Sequence, residues 1–371
     1  MMKAVVVDRD YGSTTAEDMD RISQAYRAAG IRLELQHLTT EDEIIAGCQG
    51  AMAILCTGNP PISRRVMEAL PALRYIQCFG IGVNSIDLDA ASELGKIVLN
   101  LPGFCVQELA DLATALIMGL IRNVGFYDRA IRAGGWPKGG YLLPGNVREM
   151  TLGLYGFGGA ARCLYEIFRR GFGTKVIACD PYVSEKDRME HEVEFVSFDE
   201  LLLRSDILSL HAPLTETTRH IFGRDAFRRM KDSAMIVNTA RGPLIDQEAL
   251  IWALETGEIR YAGLDTMEQE PLPPDCPLLG MDNVLLTPHS GFYGESSKRT
   301  QIQMVCDLIP GAVTAGRLPA RCVAGPAISA LDLELTNPAV LVADLTARGP
   351  AGAITDRTKA KPALLRAAWP F

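Results

Sequence analysis

The chain has 371 residues, more than a single hydrophobic core usually holds, which predicts two domains. Hydrophobic residues make up 48% and charged residues 22%, ordinary for a globular protein, and the formal net charge of −8 excludes a nucleic-acid footprint, which needs a concentrated basic face. Nine cysteines without CxxC pairs or zinc-like spacing fit reduced thiols and exclude a disulfide framework or a metal centre. Only four apolar residues, Ala4 to Val7, precede Asp8, too few for a signal-peptide core. The longest apolar stretch, Leu112 to Ile121, is shorter than the ~18–20 residues of a membrane span, so a cytoplasmic protein is expected. The small basic clusters, Arg169-Arg170 and Arg228-Arg229-Lys231, read as solvated helix faces.

Taken in chain order, KAVVVD (3–8) is a strand, residues 16–29 a helix stopping at Gly30, and IRLELQHL a second strand. Thr40 and Glu43 make a capping box that opens another helix. AMAIL (51–55), RYIQCF (74–79) and KIVLN (96–100) complete an α/β unit of about five strands. A helix over 107–122 leads into a turn-rich segment at 134–145. A second alternating series follows: TLGLYG (151–156), KVIACD (175–180), ILSLHA (207–212), MIVNTA (235–240), YAGLD (261–265) and VLLTPH (284–289). Ser197 with Glu200, and Asp246, cap two of its helices, and Gly257 ends the second. A last helix, about 295–315, ends at Gly316, and the Ala/Pro-rich chain beyond 323 reads as a linker-like extension. Alternation of this kind predicts two doubly wound parallel sheets.

The strand at 151–156 runs into Gly156-Phe157-Gly158-Gly159-Ala160-Ala161, a GxGxxA turn that opens a helix. Gly156 permits the tight turn, Gly158 lets backbone approach a pyrophosphate, and Ala161 lets helix and strand pack closely. The helix N-terminus offers N–H groups and partial positive charge to the phosphates. The next strand ends in Asp180, nineteen residues after Ala161, where a carboxylate can take the adenosine ribose hydroxyls and repel a 2′-phosphate. This favours NAD over NADP. The competing reading makes Asp180 an ordinary Asx residue at the Asp180-Pro181 turn.

Three polar residues stand at or beyond the ends of later strands: Arg241 in NTARG, Glu270 in QEP and His289 in TPHSG. Hydride exchange with a 2-oxo acid needs a cation for carboxylate and carbonyl, and a group that passes a proton. Arg241 offers a planar donor fork, His289 titrates near neutral pH, and Glu270 beside it would favour the imidazolium. Singly, each residue has a bland reading: a surface ion pair, a carboxylate beside a turn proline, a strand-end cap. In matching contexts the three favour catalysis.

Together, FGIGVNSIDL (79–88), NLPGFCVQELAD (100–111), LGLYGFGGAA, SLHAPLTETT (209–218), VNTARGPLID (237–246), AGLDTMEQEP (262–271) and LLTPHSG (285–291) resemble the D-isomer-specific 2-hydroxyacid dehydrogenases. The resemblance covers about residues 50–320. It implies that Arg241, Glu270 and His289 form the catalytic trio of an NAD-dependent enzyme acting on a small 2-oxo or 2-hydroxy acid. It implies cofactor contacts from Gly156, Phe157, Gly158, Gly159, Ala160, Asp180, His211, Ala212, Pro213, Thr217, Thr239, Ala240, Arg241, Asp265, His289 and Gly291, with Asp265 holding the nicotinamide amide. Backbone N–H groups at Ile81 and Gly82 would grip the substrate carboxylate, and Phe292 would line the pocket beside Arg241 and His289.

The same resemblance implies a flavodoxin-like substrate domain (1–100 plus 295–325) hinged on a Rossmann domain (101–294), a C-terminal extension (326–371), and a homodimer through the nucleotide domain. Departures bear on substrate. Asn84-Ser85 replaces the usual Asp-Asn, and Thr57 stands where phosphoglycerate-oxidising members tend to carry a basic residue. HSGFYGES (289–296) is similar to the branch containing the C-terminal-binding-protein corepressors, with Phe292 in place of a tryptophan. Other readings of the same fold are an NADH-gated corepressor-like binding protein, or a dehydrogenase of phosphoglycerate, formate or phosphite.

Overall fold

The computed structural model describes residues 1–8, 14–57, 60–137, 145–319, 323–324 and 334–336. The chain divides into two compact units, Met1–Phe104 resumed at Gly294, and Cys105–Tyr293.

In the first unit, β1 (Met2–Val6), β2 (Ile31–Leu35), β3 (Ala53–Cys56), β4 (Tyr75–Cys78) and β5 (Ile97–Leu99) are parallel. They alternate with α1 (Ala16–Ala28), α2 (Glu41–Gly47), α3 (Arg64–Ala69) and α4 (Leu88–Glu93). Side chains of β3 and β4 are buried throughout, as a sheet covered on both faces requires. Thr40 and Glu43 form the capping box read from the sequence, and Thr15 with Asp18 forms another at α1.

The second unit opens with α5 (Val106–Ile121) and α6 (Val124–Arg132). Its sheet uses β6 (Thr151–Tyr155), β7 (Lys175–Cys179), β8 (Glu194–Phe195), β9 (Ile207–Leu210), β10 (Met235–Asn238), β11 (Tyr261–Leu264) and β12 (Val284–Leu286). The connecting helices are α7 (Gly159–Glu166), α8 (Glu185–Glu190), α9 (Phe198–Arg204), α10 (Arg224–Arg229) and α11 (Gln247–Thr256). The strand order is β12-β11-β10-β9-β6-β7-β8, all parallel. After β8 the chain returns to the other side of β6, so the switch point lies between β6 and β9, where open α/β sheets bind ligands. α12 (Glu295–Ala315) and β13 (Arg317–Pro319), β14 (Val323–Ala324) and β15 (Glu334–Thr336) belong to the first unit.

Both sheets are doubly wound, with differences in detail from the sequence reading. β14 pairs antiparallel with β5, which makes the first sheet six-stranded rather than five, and two residues of strand carry too little pattern to be read. β15 pairs with β13, so the extension beyond 323 is not wholly linker-like; its remaining positions lie outside the described residues. α6 follows a turn at Asn123 (φ 53) where the sequence suggested only passage to the turn-rich segment, of which 138–144 lie outside the described residues. The basic clusters meet acids at the surface: Arg170 with Glu166, Arg229 with Asp199 and Lys231 with Asp206. Among the described residues no single helix is long and apolar enough to cross a membrane.

Candidate active site

The glycine turn sits at the switch point. Gly156 (φ +89) donates its N–H to the Cys179 carbonyl at the end of β7. A Cβ there would meet the Ala212 nitrogen and the His211 carbonyl carbon at 2.9 Å, in a backbone conformation that L side chains rarely adopt, so glycine is required twice over. Gly158 caps α7 without any side-chain cap, while Ala160 and Ala161 are buried in the first turn. Phe157 is buried, and its N–H donates to Asp180 Oδ2 at 2.8 Å. Asp180 Oδ1 accepts the Tyr182 N–H at 2.8 Å, the Asx turn of the bland reading. The two readings coexist, because each ionised oxygen keeps a second lone pair for a ribose hydroxyl. A cavity of about 450 Å³ beside it is lined by Tyr155, Asp180, Pro181, Val196, Phe198 and Ile221. Its largely aromatic and aliphatic walls also carry the Asp180 carboxylate and the Arg188 guanidinium, and suit an adenosine.

Across the switch point, burial drops the His211 pKa to about 4, so its ring is neutral, and Nε2 lies 2.9 Å from the Ser209 hydroxyl. The Pro213 carbonyl accepts the Thr218 hydroxyl, and Thr217 lies in the same tight turn with Thr215. Thr239 is buried with no hydrogen-bond partner for its hydroxyl, a polar atom that a bound dinucleotide can satisfy. Ala240 donates to Asn238 Oδ1, and Asn238 Nδ2 donates to the Arg241 carbonyl at 2.8 Å. Asn238 therefore shapes the turn that presents Arg241, a role the sequence did not reveal.

Arg241, Glu270 and His289 follow β10, β11 and β12, three adjacent strands. His289 Nδ1 meets Glu270 Oε2 at 2.8 Å, and Glu270 Oε1 accepts the Met267 N–H at 3.0 Å. Burial pushes the Glu270 carboxyl up, but the His289 hydrogen bond and charge, the Met267 N–H and the Arg241 cation together hold it below its ordinary value. Burial pushes the Arg241 guanidinium down, while Glu270 and then the Cys105 thiol act in the opposite direction. Arg241 spends one donor on the Ala240 carbonyl at 2.6 Å and keeps the rest of its fork.

Asp265 is held within its own turn. It is fully buried; Oδ1 accepts the Thr287 hydroxyl and the Ser290 N–H, both at 2.7 Å, and Oδ2 accepts the Gly291 N–H at 2.9 Å. Its carbonyl accepts the His289 N–H at 2.8 Å. Asp265 thus fixes the turn that holds His289 at φ 52, because its carboxylate faces three inward donors before any ligand is considered. Phe292 is half-buried with its ring 6.4 Å from that of Tyr293. In the first unit, carbonyls of the substrate-loop candidate are tied down: Gly80 accepts the Leu101 N–H, and Ile81 accepts from Asn100. Gly82 follows in the same half-buried turn.

The family model for the D-isomer specific 2-hydroxyacid dehydrogenase NAD binding domain matches residues 114–291. A glyoxylate reductase from Korarchaeum cryptofilum is 38% identical over 288 residues, covering 76% of this chain and 84% of that protein. The chain belongs to the D-isomer specific 2-hydroxyacid dehydrogenases. It is an NAD-dependent D-2-hydroxyacid dehydrogenase. A hydroxypyruvate reductase from Thermotoga maritima is also 38% identical, over 73% of this dehydrogenase and 87% of its own length. The crystal structure of a glyoxylate reductase from Paecilomyes thermophila superposes with a TM-score of 0.75 at 30% identity, covering 85% of this chain and 96% of that one. A D-3-phosphoglycerate dehydrogenase from Methanocaldococcus jannaschii is 37% identical over 78% of this chain, which spans only 55% of that protein. The glycine turn, the adenosine-sized cavity and the orphaned Thr239 hydroxyl all fit NAD.

Proposed function

We propose that the dehydrogenase reduces a small, unphosphorylated 2-oxo acid, such as glyoxylate or hydroxypyruvate, to its D-2-hydroxy acid. The observation that carries this is the 2.8 Å His289–Glu270 pair beside Arg241 at three adjacent strand ends. Bound NADH supplies the hydride. Arg241 binds the substrate carboxylate and carbonyl oxygen with its remaining donors and stabilises the charge that develops on that oxygen. With Nδ1 engaged by Glu270, His289 is left Nε2 to give the proton in reduction and take it back in oxidation. Glu270 holds the imidazole oriented through Nδ1. Relatives named glyoxylate and hydroxypyruvate reductases along most of their length support the substrate class, as does Thr57 where a phosphate would call for a cation.

We also infer a cytosolic homodimer. Reduced thiols motivate the first part, and α6 the second, because none of its residues is buried while Val124 and Ile131 are exposed. The test is a panel of glyoxylate, hydroxypyruvate, pyruvate and phosphohydroxypyruvate with NADH, and of formate and phosphite with NAD, followed by nicotinamide absorbance. The two small unphosphorylated acids should give the highest kcat/KM, from particles that sediment with two chains. Tight NADH binding with no turnover of any 2-oxo acid would sink the enzymatic reading in favour of a binding protein.

A further inference from the structure

A second histidine–glutamate pair stands beside the first. His220 Nε2 meets Glu268 Oε1 at 2.5 Å, and Glu268 Oε2 accepts the Gln247 N–H at 3.2 Å. One carboxylate thereby ties three segments together: the one carrying His220, the one running from Arg241 to α11, and the 266–271 loop that carries Glu270. The backbone makes the same junction. His220 donates its N–H to the Pro243 carbonyl, Phe222 bridges to Ile245, and a Cβ on Gly242 would meet the Met267 carbonyl oxygen at 1.8 Å. Arg241 is thus joined, through Gly242, to backbone packed against the residue whose N–H holds Glu270.

His220 adopts φ 53, an uncommon conformation for a residue other than glycine, which costs of order 1 kcal/mol or more and persists where surrounding contacts over-determine it. A pair that is 41% and 33% exposed adds little stability by itself. Its value lies in geometry. We propose that His220 and Glu268 are positioning residues for the reaction: they hold the 266–271 loop against the Arg241 segment, so that Glu270 meets His289 in the proton-passing orientation. The proposal rests on the acid/base reading of Glu270 and His289.

The test is a double-mutant cycle on glyoxylate reduction, with NADH affinity and thermal unfolding measured alongside. Glu268→Ala and His220→Asn, the latter chosen because asparagine tolerates φ 53, should each lower kcat about 10- to 100-fold, the scale of a misplacement near 1 Å, with NADH affinity within about twofold of wild type. Glu268→Gln, which keeps an oxygen for the Gln247 N–H, should recover part of the loss. Adding Glu268→Ala to Glu270→Ala should cost nothing further, because Glu268 acts through Glu270. Independent, multiplying losses would overturn the proposal, as would a wild-type kcat in both single variants. If Glu270→Ala itself turns over normally, the acid/base reading falls and this proposal with it. A loss in Glu270→Ala with none in Glu268→Ala removes the proposal alone. Should Glu268→Ala fail to fold, Glu268→Gln enters the same cycle with the same criteria.

Discussion

Replacing His289 by asparagine is expected to lower turnover of 2-oxo acids about 10²- to 10⁴-fold, the usual contribution of a positioned acid/base. Asparagine is the informative choice because His289 sits at φ 52, which asparagine tolerates and alanine resists. The backbone anchor to the Asp265 carbonyl does not involve the side chain, and the ring is 43% exposed, so the fold should survive. NADH affinity should stay close to wild type, since the glycine turn and Asp180 follow β6 and β7, several strands away from the β12 end that carries His289. Steady-state assays with saturating NADH check the loss, and near-normal rates would remove His289 from the chemistry.

Changing Arg241 to lysine should cost about 10²- to 10³-fold in kcat/KM, the scale of losing an oxyanion donor. The guanidinium already commits one donor to the Ala240 carbonyl and presents the others as a rigid fork. A lysine ammonium is a compact charge on a flexible stem and cannot meet carboxylate and carbonyl together. The loss should appear in both KM and kcat while NADH titrations are unchanged. A kcat/KM within a few-fold of wild type would mean that Arg241 supplies charge alone.

Buried parallel strands announced themselves because runs such as MIVN and YAGL are mostly apolar and are buried at every position, and the helices between them carry their own caps. The GxGxxA turn was legible because Gly156 answers two constraints at once, a positive φ and close backbone approach. Arg241, Glu270 and His289 could be nominated from strand ends, and the sheet order brings those ends side by side. What escaped is what depends on neighbours remote in sequence. The bonds that Asp265 accepts from Thr287, Ser290 and Gly291, which fix the turn carrying His289, had no signal in its own segment. Nothing in TTRHIF or TMEQEP marks His220 and Glu268 as partners 48 residues apart. β14 and β15 are too short to show a period, and the nine residues of α6 were passed over although Val124, Tyr127 and Ile131 recur on one helical face.

On the proposed mechanism one hydrogen-bonded His289–Glu270 pair serves both directions of the reaction. Glu270 is held below its ordinary pKa chiefly by the His289 hydrogen bond and charge, overcoming burial, so it faces Nδ1 as a carboxylate. Reduction takes a proton from His289 and should fail as pH rises; oxidation returns one and should rise over the same range. The direct measurement is the pH dependence of kcat/KM in both directions for the wild-type enzyme and for Glu270→Gln. Glu270→Gln should lower kcat/KM in both directions together, because both depend on the ring that Glu270 orients through Nδ1. A loss in one direction only, or in neither, would contradict the pair as the shared acid and base.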